Sequence, residues 1–273
     1  MEFSRRQFLS AASGAGLALV ARGVADVSRE TGAPQTGFDR VILDLGGGCG
    51  LRESLAGYQA ALAGAGFGVV RVPPTETMPA RTIIVPGCVR LHPAEARALA
   101  ASLSQGAMVL IESAAGFADG ADGPDFEHHR EQLCSHFGLA VEAPVDLWRP
   151  ERVGGTARVP YVDYVWPVAV KVRDFSRVVP VESGAAKPAW QRGAIIGWTN
   201  GRPVAARRRV GRGTLVFLGS PLGPLLGWGD REARQWLAAL AFGQGDASEA
   251  RKIVGRIELE NAQPSLDGVA HLT

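Results

Sequence analysis

Cysteine is scarce in this chain, with only Cys49, Cys88 and Cys134 among 273 residues. No two of them stand in a C-x-x-C spacing, so zinc or iron–sulfur ligation by cysteine lacks its usual pattern. An excess of one charge is missing too. The formal net charge is +2, and Arg207-Arg208-Arg209 with Arg212 forms the one basic cluster, which reads as a solvated strand face. Nucleic acid is therefore not an expected partner. Nucleotide motifs are absent: there is neither G-x-G-x-x-G nor G-K-[ST], and no cofactor is identified. Long apolar runs are lacking as well. Phe8–Ala21 is ~14 residues, short of the ~20 that cross a bilayer, and no later segment is long and apolar enough to do so.

What is present begins with an address. Ser4-Arg5-Arg6-Gln7-Phe8-Leu9 looks like a twin-arginine export signal, with Gly23 and Ala25 as small residues before a cut at Asp26. The expected organisation is a signal at 1–25, a linker at 26–39, an α/β domain at 40–242 and a polar tail at 243–273. The expected location is periplasmic. Losing the signal removes Arg5, Arg6 and Arg22 against Glu2, so the exported chain is close to neutral. An oxidising compartment would then receive all three cysteines.

The chain is organised around 81–117. Arg81–Val85 is a β-branched run stopped by Pro86-Gly87, His92-Pro93 opens a helix that ends near Gly106, and Ala107–Ile111 is a second apolar run stopped by Glu112-Ser113. Strand, helix and strand in about 30 residues make a right-handed βαβ crossover. Upstream, Arg40–Leu45 runs into Gly46-Gly47-Gly48-Cys49-Gly50 and a helix from about Leu51 to Gly64, and Gly68–Val72 is a further strand. The expected fold is α/β: a flavodoxin-like doubly wound parallel sheet in the order 2-1-3-4, with an inserted α+β segment at 118–192 and a late β-meander. The meander is Ala194–Thr199, the turn Asn200-Gly201, Val204–Val210 and Thr214–Leu218, closed by a helix from Asp230 to Phe242.

In such a sheet, ligands collect where the strands end. Gly47, Gly48, Cys49, Gly87 and Gly116 are the expected ligand-binding positions there. The glycine-rich turn has backbone suited to an anion, with a tight turn as the plainer account. Cys88, with His92 four residues on and Glu112 at the next strand end, is a candidate catalytic set, and Ser113 is a further candidate. Cys49 and Cys88 follow neighbouring strands, so they are expected to approach as a disulfide or thiol pair while Cys134 stays apart. His128, His129 and His136 lie on a helix at Phe126–Phe137 with spacings unsuited to one ion, so no metal site is expected. In the insertion, Trp148, Tyr161, Tyr164 and Trp166 either line a sugar or peptide groove or seal a small sheet. Asp163, Lys171, Arg173 and Asp174 are polar residues that could converge there.

The IIVPG strand end, the later MVLIES-AAGF and the meander GRPVA…RVGRGTLVFLGSP together resemble the class I glutamine amidotransferase-like superfamily. The resemblance is closest to its β-galactosidase trimerisation-domain and biotin-ligase-N-terminal-like branches. It covers about 40–117 and 194–242. It implies the α/β fold and, in active members, a G-x-C-x-G elbow followed by a later histidine and acid. Here the elbow falls at Ser113 or Ala114, no cysteine stands there, and after residue 192 the one histidine is His271. The expected function is thus an exported, non-catalytic protein that binds a small molecule or partner subunit at the sheet edge. The alternative is a hydrolase of a small amide, ester or glycan using Cys88, His92 and Glu112, or Ser113.

Overall fold

The computed structural model describes residues 39–46, 48–71, 78–115, 124–146, 161–173, 177–182 and 193–242. The expected signal and tail lie outside them, as does the linker apart from Asp39. Gly47, Gly116, Trp148 and Asp174 lie outside them as well.

Eleven strands and five helices make up the regular structure of the described residues. The strands are β1 (Arg40–Asp44), β2 (Phe67–Arg71), β3 (Thr82–Cys88), β4 (Met108–Ser113), β5 (Val145–Asp146), β6 (Tyr161–Tyr164), β7 (Val170–Arg173), β8 (Arg177–Val178), β9 (Ala194–Thr199), β10 (Arg202–Val210) and β11 (Gly213–Leu218). The helices are α1 (Arg52–Ala61), α2 (Pro93–Gln105), α3 (Pro124–Phe137), α4 (Gly223–Gly227) and α5 (Arg231–Phe242). Nine strands form one sheet in the order β2-β1-β3-β4-β11-β10-β9-β6-β7, and β5 pairs with β8 apart from it.

The sheet is mixed, which corrects the expectation of a parallel one. β2, β1, β3, β4 and β11 run parallel, and from β11 onward each pairing is antiparallel. The first four strands stand in the order 2-1-3-4. The meander then brings its last strand, β11, beside β4, and the chain between does not form a separate module: β6 and β7 extend the main sheet past β9. Asn200 and Gly201 both take positive φ (48° and 75°), the twist that a two-residue hairpin turn requires.

Helices cover both faces. α2 and α3 pack on one side with Leu99, Leu103, Phe126 and Leu133; α1, α4 and α5 pack on the other with Tyr58, Leu226, Trp236 and Leu237. This double cover explains why every residue of β3 is buried and why the central strands read as unbroken apolar runs. α2 starts at His92 with Pro93 in its first turn, and Glu95 turns back to accept the His92 backbone N–H at 3.0 Å.

Among the described residues, one carboxylate is completely enclosed. Glu112, at the end of β4, is 0% exposed. Its Oε1 accepts the Ser54 hydroxyl of α1 (2.5 Å) and the Gly87 N–H of β3 (3.2 Å), and its Oε2 accepts the Gly223 N–H of α4 (3.0 Å). Tyr58 faces the same carboxylate without closing a hydrogen bond of ordinary geometry, and burial followed by that charge raises its phenol pKa. Two helices must come very close for this. A methyl on Gly57 would lie 1.8 Å from the Gly223 carbonyl oxygen, so only glycine fits. Burial raises the Glu112 pKa while these hydrogen bonds pull against it.

Another enclosed titratable group is His129 on the inner side of α3, 0% exposed, its pKa pushed down to about 4 first by burial and then by His128. The unfolded chain binds a proton near 6.5 that the folded chain refuses until about 4. Stability from this group is therefore full above 6.5 and lost as the pH falls to 4, by at most about 3 kcal/mol. Glu112 acts with the opposite sign, its contribution falling as pH rises through its raised folded value. Urea unfolding at pH 6.5 and at pH 4 should show the stability gap between the wild type and His129→Asn shrinking towards the acid end. Glu112→Gln tests the other group. Whichever way the amide is turned, its NH2 meets a backbone N–H, so unfolding titrations should show a loss of about 2–3 kcal/mol at neutral pH.

Candidate functional site

The parallel strands end on a shared edge where three short segments are sewn together. Cys49 sits in the turn after β1, and its carbonyl accepts Val89 N (2.9 Å) and Arg90 N (3.3 Å) from the end of β3. Leu51 N donates to Gly87 O (2.8 Å), and Ala114 N donates to Cys88 O (2.9 Å). Backbone pairing therefore fixes where each edge side chain starts.

Two sulfur–imidazole pairs result, and they are not the pairs expected. Cys49 Sγ lies 3.3 Å from His92 Nε2, and Arg90 Nη2 stands 3.8 Å from the same sulfur. Cys49 is 6% exposed and His92 half-buried. Cys88 Sγ instead faces His129 Nδ1 at 4.0 Å, and His129 Nε2 lies 3.5 Å from Ser113 Oγ. Cys88, Ser113 and His129 are all sealed in the core. Burial, with Glu95 and Cys49 adding, raises the Cys88 thiol well above its ordinary value, which keeps it protonated and unreactive.

The candidate set of Cys88, His92 and Glu112 is corrected accordingly. His92 serves Cys49, and Glu112 spends both oxygens on the scaffold. The expected disulfide is not formed: Cys49 and Cys88 are both free, each thiol turned to a different histidine, and Cys134 is free and exposed. Gly87 is a tightly packed position, with φ +52° and a would-be methyl 2.7 Å from Leu51 Cβ. Gly48, at φ +87°, faces open space. In the glycine turn, Gly46 N donates to Asp44 Oδ1 at 2.9 Å and Cys49 N to Gly46 O at 3.4 Å, so these two N–H groups are used within the turn itself.

Arg90 and His129 are the site residues that sequence reasoning missed. His129 had a signal, since it shares a helix side with Phe126, Leu133 and Phe137, all buried. Arg90 had none. Among the described residues no three His, Cys, Asp or Glu side chains converge as a metal site would require, and no helix is long and apolar enough to cross a membrane.

The insertion aromatics divide. Tyr164 packs on Trp236 (ring centroids 5.0 Å apart), and Trp236 Nε1 donates to Trp166 O at 2.9 Å, so these two seal the sheet. Tyr161 points to the other face with Asp163 and Lys171, whose charged ends are 3.3 Å apart.

No protein-family model matches the chain, and no curated protein matches it. Solved structures do. An exo-β-1,4-mannosidase from Opitutaceae bacterium strain TAV5 is similar at a TM-score of 0.50 and 18% identity, over 76% of this chain and 36% of that one. A cold-adapted β-galactosidase from Rahnella sp. R3 is similar at 0.51 and 14%, over 75% of this chain and 31% of that one. This chain thus spans about a third of the length of either glycosidase, and at such identities the likeness is one of fold. It overturns the amidotransferase resemblance: both of these similar structures are glycosidases by name.

Proposed function

We propose that this protein is an exported hydrolase of a small ester or amide, including one carried on a glycan, with Cys49 as nucleophile and His92 as its proton acceptor. The observation that carries the reading is the 3.3 Å approach of Cys49 Sγ to His92 Nε2 at the half-open edge of the sheet. His92 takes the thiol proton as Sγ attacks the acyl carbon, and the tetrahedral centre then collapses. The leaving oxygen or nitrogen takes the proton from His92, and a thioester remains on Cys49. Water, deprotonated by His92, attacks that thioester; the acid departs, and the proton returns to sulfur. The Arg90 guanidinium, beside the sulfur, supplies positive charge for the developing oxyanion.

The fold likeness to glycosidases favours a carbohydrate in the substrate class. Direct cleavage of a glycosidic bond is the less favoured chemistry, because it needs two accessible carboxyl groups about 5–10 Å apart, and Glu112 is sealed and fully used. A second reading, a binding module without catalysis, is favoured by one observation. Cys88, Ser113 and Glu112, three of the four side chains that looked reactive, are built into the core.

Labelling and kinetics separate the two. A haloacetamide should modify Cys49 and Cys134 and leave Cys88 untouched, and hydrolysis of chromogenic acetyl esters should fall about a hundredfold or more in Cys49→Ser and in His92→Ala. A silent Cys49 and no turnover would leave the binding module. The export route has its own check: changing both Arg5 and Arg6 to Lys should leave precursor in the cytoplasm, and normal export of that variant would refute a twin-arginine signal.

A further inference from the structure

The antiparallel half of the sheet carries a second feature that the thiol chemistry does not use. Lys171 on β7 pairs in register with Asp163 on β6, and Asp163 pairs in turn with Trp198 on β9. Register partners share a face, so the three side chains form one row across three adjacent strands spaced about 4.8 Å apart. Tyr161, two residues before Asp163, stands on the same face, with Lys171 Nζ 5.7 Å from its ring centroid. The alternate residues Val162 and Tyr164 turn inward, at 1% and 3% exposure.

The row is open to solvent. Lys171 and Asp163 side chains are 63% and 59% exposed, Val165 beside them is 56% exposed, and Tyr161 and Trp198 are half-buried. A half-buried indole and a phenol ring offer flat apolar surface. Between them, a carboxylate accepts hydrogen bonds and an ammonium donates them, with their charges cancelling. That combination suits a ligand with apolar C–H faces and a rim of hydroxyls that both donate and accept, without net charge.

We infer that the Lys171–Asp163–Trp198 row, with Tyr161, is a binding platform for a neutral hexose oligosaccharide. The platform goes beyond the proposed hydrolase and stands without it, because no residue of the row belongs to the Cys49 site. A row of three strands spans about 10 Å, the length of two pyranose rings.

Isothermal titration of the folded protein with mannohexaose, at low and at high salt, tests the platform. The wild type should bind with little salt dependence. Trp198→Ala should weaken binding about tenfold or more, and Asp163→Asn and Lys171→Ala, both at exposed positions, should each weaken it measurably. Cys49→Ser should bind like the wild type, which keeps a failure of the hydrolase reading apart from a failure of this one. No binding by the wild type would overturn the platform, as would affinity abolished by salt. So would binding unchanged in Asp163→Asn and Lys171→Ala, the variants that decide if Trp198→Ala does not fold.

Discussion

One buried carboxylate sets the terms for the rest of this molecule. Glu112 accepts hydrogen bonds from α1, β3 and α4 while itself ending β4, so four elements meet at two oxygen atoms. A buried charge of this kind survives only when its lone pairs are filled. Filling them demands backbone N–H groups at close range, and that demand brings the helices together at Gly57 and Gly223, where no side chain fits. A residue with the look of a catalytic acid is thus the point on which the sheet edge is hung.

That arrangement has a consequence for chemistry. With the ends of β3 and β4 held by Glu112, Cys88 and Ser113 are drawn inward to His129 and away from solvent. The turn after β1 is stitched to the end of β3 through Cys49 O, which leaves Cys49 slightly less enclosed than Cys88 and next to His92. The reactive pair therefore comes from two segments whose neighbours are spent on structure. Cys88, wholly enclosed, is kept protonated by burial, whereas Cys49, at 6% exposure, stands beside a half-buried imidazole.

The antiparallel half obeys a simpler rule. Two-residue alternation sends Val162 and Tyr164 into the core and Tyr161 and Asp163 out, and pairing in register lines up what the three strands present. Nothing in the composition of 118–192 marked this stretch as a continuation of the main sheet. Its strands are only two to four residues long, and the pairing that joins them to the main sheet, Asp163 with Trp198, spans 35 positions.

Much of the architecture was determined by local sequence alone. β-branched runs stopped by glycine and proline, the His92-Pro93 start of α2, the Gly106 stop and the Asn200-Gly201 hairpin each act within a few residues, so strands, helices and the first four places in the sheet were readable. The site was not, because its partners are distant in the chain. Cys49 meets His92 across 43 positions, Cys88 meets His129 across 41, and Glu112 reaches Ser54 across 58 and Gly223 across 111. Spacing along a strand tells which face a residue takes, but not which of two neighbouring thiols an imidazole will turn to. The backbone pairing at the sheet edge and the burial of α3 made that choice, and only the tertiary structure contains them.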